Sequence, residues 1–245
     1  LAKKDSGRTV ALKRIERDTE NEDQENEARL SFQDEVHVVA TLNASEDSRG
    51  MGVIFFRDAF CTESAFWIVQ NFVGGGTLAA EIDATAQPFA ERRVAWYTLQ
   101  LAETLAFIHE KHVVHHDIKS SNILIDHEHG GRLVLCDFGA SAAGAGAEGS
   151  GYTPEFAAPE LSAVCAGNMP ATPALDVFSL GCVVFELMCA TRMKNVFPSI
   201  NEPTLPQLID QHDGAALVAF DGGGGSSSSA QFSPLYSPAI KRVLA

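Results

Sequence analysis

The stretch "VVHHDIKSSNIL" (113–124) sets Asp117 and Asn122 among histidines in an otherwise apolar run. Two explanations compete: metal ligation by the imidazoles, or a role for the aspartate and asparagine themselves. Histidine is the commonest metal ligand, and His109, His112, His115, His116, His127 and His129 crowd together here. Yet no HExxH or cysteine-paired zinc spacing accompanies them. His109 and His112 end a predicted helix, where cations meet the negative end of the dipole. His127 and His129 fall in the polar turn "DHEHGG". The spacing argues against a metal. On these residues alone, Asp117 and Asn122 could still be ordinary turn formers.

The elements around the stretch suggest what must position it. "RTVALKRI" (8–15) alternates as a strand, with Ala11 and Lys13 on one face and Val10 and Leu12 on the other. Residues 28–42 have helical spacing, with Phe32, Val39 and Leu42 along one side. Glu35 falls on that inward stripe and needs a cationic partner, because burying a carboxylate alone costs several kcal/mol. "VIFFRDAF" and "AFWIVQNFV" read as two more strands, and "GGG" (74–76) breaks the pattern like a hinge. Beyond it, Val94, Tyr97, Leu101, Leu105 and Ile108 recur at helix spacing. "NILI" and "RLVLC" suit a small hairpin, and 174–191 is apolar nearly all round. Strands first and helices afterwards predict an α+β protein of two lobes. "ASAAGAGAEGSG" (140–151) is too rich in small residues for a regular element, and "DGGGGSSSSA" (221–230) reads as a flexible insertion.

Five motifs in order now carry a resemblance. "VALK" (10–13), "VHHDIKSSN" (114–122), "CDFG" (136–139), "PEFAAPE" (154–160) and "DVFSLG" (176–181) resemble the protein kinase signatures VAIK, HRDxKxxN, DFG, APE and DxWxxG. The similarity runs from Thr9 to about Met188. It implies a two-lobed protein kinase-like fold truncated at both ends. Residues 1–73 would form a partial N-lobe, and 74–245 a partial, mainly helical C-lobe holding the 221–230 insertion.

The resemblance assigns roles residue by residue. Lys13 would contact the α- and β-phosphates of ATP and pair with Glu35; the competing reading is a surface ion pair worth little. Asp117 would accept or orient the proton of the attacking hydroxyl. Lys119, two residues on, is the Ser/Thr-kinase arrangement, placed to stabilise charge on the transferring phosphoryl. Asn122 and Asp137 would hold Mg²⁺. The adenine would lie between Ala11 and Leu124, with its edge on the hinge residues Gln70, Asn71, Phe72 and Val73. Gln70 takes the gatekeeper position, which makes the back pocket more polar than usual. Cys136 would face the same site as a small spacer. Thr77 lines its rim, where some arginine-reading kinases carry an acid, so that preference is not expected. Thr153 would bond to Asp117 and Lys119. His115 and Phe138 would pack as spine residues with Val39 and Phe56, and Asp176 would anchor the catalytic-loop backbone.

The chain also departs from the pattern. His116 replaces an arginine that grips a phosphorylated activation loop, and a neutral imidazole would do this poorly. Little dependence on loop phosphorylation is therefore expected, despite Ser141, Ser150 and Thr153 nearby. The Gly-rich loop is missing ahead of "LAKKDSGRTVALK", and "SPAIKRVLA" (237–245) looks like the start of a late helix. That helix stops short of the arginine that usually pairs with the Glu160 position. Phe178 stands for tryptophan, and Tyr152 for glycine. The chain reads as a piece of a longer protein.

Composition sets the remaining bounds. At 245 residues and 45% apolar, the chain can bury a substantial core. A formal charge of −14 argues against nucleic-acid binding, and much of the acidity sits in "ERDTENEDQENEA" (16–28), a solvated loop or helix entrance. No signal peptide or membrane-length apolar run is present. Five scattered cysteines without CxxC spacing predict reduced thiols and an intracellular, cytoplasmic protein. The expected function is transfer of the γ-phosphoryl of Mg-ATP to Ser or Thr hydroxyls of proteins. The alternatives are a pseudokinase scaffold and transfer to a small molecule, the last disfavoured by the APE-type segment.

Overall fold

A computed structural model of the chain describes residues 2–3, 7–44, 52–85, 87–143 and 152–196. The expected insertion at 221–230, the late helix at 237–245, Ser150 and most of the small-residue segment lie outside the described residues.

Alternating apolar residues and β-branched content build a four-stranded antiparallel sheet from β1 (Ala2–Lys3), β2 (Thr9–Glu16), β3 (Phe56–Cys61) and β4 (Ala65–Asn71), in the order β1-β2-β4-β3. Register places Lys13 opposite Ile68 and Ala11 opposite Gln70. Between β2 and β3 runs α1 (Glu22–Asn43), longer than the periodic stretch alone predicts. Its extra turns come from the acidic segment: Asn21 Oδ1 accepts from the N–H groups of Asp23 and Gln24, and Glu22, Asp23 and Glu25 face the positive end of the dipole. At the other end, Asn43 Nδ2 donates to the carbonyls of Val39 and Ile54, while its Oδ1 accepts from Phe56 N–H. That amide ties the helix to β3. Residues 53–55 are not strand as the alternation predicts. They run beside the later hairpin instead, with Ile54 N–H on the Leu135 carbonyl at 2.9 Å.

After the hinge come α2 (Leu78–Ala84), α3 (Glu91–Glu110), β5 (Val113–Val114), the hairpin β6 (Ile123–Asp126) and β7 (Arg132–Leu135), β8 (Ala142–Ala143), α4 (Leu161–Cys165), α5 (Ala174–Cys189) and α6 (Met193–Val196). Gly75 cannot be replaced without movement, because a Cβ there would sit 2.1 Å from the Ile125 carbonyl oxygen. The hinge backbone therefore packs directly on the hairpin. Ala142–Ala143 pair with Val113–Val114, so part of the small-residue segment is strand after all. One continuous core joins Val39 and Leu42 of α1, Leu105 and Ile108 of α3, Phe138, and Val183 and Leu187 of α5. Helix α5 is buried on most sides yet carries two fully enclosed acids, Asp176 and Glu186. Each needs compensating donors.

Candidate active site

The inward stripe of α1 brings Glu35 to 1% exposure directly beneath Lys13 of β2. Lys13 Nζ donates to both carboxylate oxygens of Glu35 at 2.8 and 2.7 Å, and to Asp137 Oδ1 at 2.6 Å. Burial alone would lower the Lys13 ammonium, but the charges of Glu35 and Asp137 outweigh it and hold it above the usual lysine range. Burial likewise pushes the Asp137 carboxyl up, and the Lys13 charge and hydrogen bond pull it below the ordinary value. Asp137 adopts a left-handed backbone (φ 66°), which aims its carboxylate at Lys13. Gly139 completes the arrangement: a Cβ there would stand 3.2 Å from Lys13 Nζ and 3.3 Å from Glu35 Oε2.

A second polar group forms at the opening stretch. Asp117 accepts from Thr153 Oγ1 at 2.6 Å on Oδ1 and from Asn122 Nδ2 at 2.9 Å on Oδ2. Lys119 Nζ lies 2.6 Å from Asp117 Oδ2 and donates to Thr153 Oγ1 at 2.7 Å. Burial would raise the Asp117 carboxyl; the bonds from Lys119, Thr153 and Asn122 overcome that and keep it ionised below the usual carboxylate range. Asn122 also donates to the Asp117 carbonyl at 2.9 Å, closing the loop on itself.

The loop is hung from α5. Asp176 accepts from the backbone N–H of His115 at 2.8 Å and of His116 at 2.9 Å, and from His109 Nε2 at 2.8 Å. His109 thus supports the buried acid as well as ending its helix. His115 Nδ1 accepts from Asp117 N–H at 3.3 Å, which leaves Nε2 to donate to the Cys136 carbonyl at 3.3 Å. Its ring packs 4.7 Å from that of Phe138. Burial depresses the His115 and His116 imidazoles below 6.5, so both are neutral at pH 7. His116 sits in a left-handed conformation (φ 67°) with its Nε2 enclosed and unpartnered among the described residues. No group of three or more potential metal ligands occurs among the described residues.

Sequence reasoning missed a third cluster. The Ser120 hydroxyl bonds Glu186, which also accepts from Arg192 Nε at 3.0 Å and Met193 N–H at 2.8 Å. Ser120 lies next to Lys119, so α5 grips the loop at both ends. The only signal was an acid inside an apolar helix.

The family model of the protein kinase domain matches residues 1–222. The chain belongs to the protein kinase family. It is 29% identical over 182 residues, 70% of its length, to the serine/threonine-protein kinase CLA4 of Eremothecium gossypii. It is 32% identical over 142 residues, 55% of its length, to human protein kinase C eta type. It is 31% identical over 194 residues, 76% of its length, to human mitogen-activated protein kinase kinase kinase 1. The chain spans 22%, 20% and 12% of these three relatives, respectively.

Protein kinases generally use ATP and Mg²⁺, and the oxygen donors here fit the metal. Asp137 offers carboxylate oxygen, and Asn122, whose Nδ2 is committed to Asp117, has its amide oxygen left to offer. Hard oxygen donors, few in number, suit Mg²⁺ that keeps water and phosphate ligands. The expected nucleotide-facing residues lie along one path. Ala11 pairs with Gln70 across β2 and β4, Asn71 ends β4, and Phe72 and Val73 lead to Thr77, which bridges Leu124. The Thr77 hydroxyl caps α2 by accepting from Ala80 N–H. Gln70 is 8% exposed and its Nε2 has no partner among the described residues. Burial pushes the Cys136 thiol up to about 12, which suits an unreactive spacer. No helix among the described residues is long and apolar enough to cross a membrane.

Proposed function

We propose that this domain is a protein serine/threonine kinase, transferring the γ-phosphoryl of Mg-ATP to Ser or Thr hydroxyls of protein substrates. The observation that carries this reading is the Asp117–Thr153–Lys119 triangle, which joins the loop acid to the activation segment. Asp117 Oδ1 holds one hydrogen bond and, as a carboxylate oxygen, has room for another. It would accept the proton of the substrate hydroxyl as the new O–P bond forms and the bond to the ADP oxygen breaks. Lys119 supplies a cation beside that proton's path. Lys13, braced by Glu35, would hold the α- and β-phosphates. Asn122 and Asp137 would hold Mg²⁺, which when bound neutralises phosphate charge. Ala11, Leu124 and the hinge residues 70–73 would receive the adenine. Mostly positioning and charge, not covalent chemistry by the protein, account for such a reaction. Five free cysteines support an intracellular setting, where ATP is also found.

The test supplies Mg-ATP labelled at the γ-phosphate and a generic basic protein, using the chain alone and with a Gly-rich loop joined ahead of Leu1. Label transfer that Asp117→Asn abolishes is expected. No transfer in either form would overturn the enzyme in favour of a scaffold.

A further inference from the structure

A cleft of about 430 Å³ opens where the sheet meets the β6–β7 hairpin; none of Lys13, Glu35, Asp117, Asn122 or Asp137 lines it, and it shares only Asn71 and Val73 with the path expected to face the nucleotide. Arg8, Arg57 and Arg132 all do. The chain carries 18 Lys and Arg against 32 Asp and Glu, so three arginines around one cleft run against its overall charge. Among the described residues none of the three is in an ion pair. The cleft's one acid, Asp126, is taken by His129 Nδ1 at 2.7 Å.

The backbone explains why they converge. Val10 pairs with Asn71, which brings Arg8 to the same end of the sheet. A register shift between Phe56 and Asp58 places Arg57 there from the other side, its guanidinium 5.7 Å from the Phe55 ring. Arg132 opens β7 opposite Asp126. Leu135 N–H on the Gly52 carbonyl at 2.6 Å locks loop to hairpin, so the cleft is preformed. Its apolar lining is the half-buried Val73, over the core residues Val53 and Val134. Asn71 also lines it, with an enclosed Oδ1 that has no partner among the described residues.

We propose that this cleft docks an acidic peptide segment of a partner protein. A phosphoserine or carboxylate side chain is held by the three arginines, whose planar forks match such groups. A neighbouring apolar side chain covers the half-buried Val73, and the peptide backbone satisfies Asn71. A lone phosphate would engage the arginines and leave Val73 and the Asn71 amide oxygen unmatched, so the lining favours a peptide. The inference does not depend on phosphoryl transfer.

Fluorescence anisotropy of a labelled peptide, Asp-phosphoSer-Phe-Asp, titrated with the chain tests it. Saturable binding is expected, weakened at least about tenfold by Arg57→Glu with Arg132→Glu and by Phe→Gly in the peptide. Both arginines are away from the core, and a thermal melt of the variant verifies its fold. Absent binding, binding unchanged in the variant, or displacement by equimolar inorganic phosphate would each overturn the proposal.

Discussion

The Thr153 hydroxyl donates to Asp117 Oδ1 at 2.6 Å across 36 positions of sequence. It simultaneously accepts from Lys119, so one side chain orients both charged groups of the loop. Thr153→Ala should lower kcat by about 10- to 100-fold through lost orientation, with little change in the KM for ATP. Thr153→Ser keeps the hydroxyl and should recover most of the rate. Steady-state kinetics of the pair checks this; equal loss in both would assign Thr153 a packing role.

Glu35 is enclosed, whereas Lys13 remains 32% exposed and also faces Asp137. Glu35→Gln should therefore cost about 2 kcal/mol, less than the loss of a partner from a fully buried pair. Because Lys13 would then lean on Asp137 alone, the KM for ATP should rise more than kcat falls. Urea unfolding and kinetics of the variant measure the two effects.

Much of this site was legible because its parts are local in sequence. Asp117, Lys119 and Asn122 lie within one loop, and the inward turn of Glu35 follows from helical periodicity. Asp176 and its loop contacts were expected from the family pattern. Non-local chemistry was hidden: nothing in sequence joins His109 to Asp176, 67 positions away, or Ser120 to Glu186, 66 away. The arginines of the cleft beside the hairpin are likewise brought together only by strand register. The early boundary of the third strand was misplaced because residues 53–55 are apolar yet serve the hairpin, not the sheet.

His115 and His116 are buried neutral, with imidazoles held below 6.5 in the fold. The unfolded chain binds their protons near 6.5, so their contribution to stability is complete above that pH. It is lost as pH falls from 6.5 through the depressed folded values. Thermal melts should show Tm falling on acidification through this window, and His116→Gln should fall less steeply. An identical slope in the variant would mean that His116 does not drive the loss of stability in acid.

His116 is 7% exposed and its backbone N–H is fixed by Asp176, so its ring is not free to grip a phosphate. Activity should be the same before and after phosphatase treatment. A large loss after treatment would show that another cation reads a phosphorylated activation segment.

In the proposed reaction Asp117 serves the chemical step and not nucleotide binding. Titration calorimetry with Mg-ATP and single-turnover transfer of the γ-phosphoryl, run side by side on the wild type and Asp117→Asn, separate the two. Unchanged nucleotide affinity with transfer slowed about 100-fold or more is the predicted result. Transfer at the wild-type rate by Asp117→Asn would contradict it.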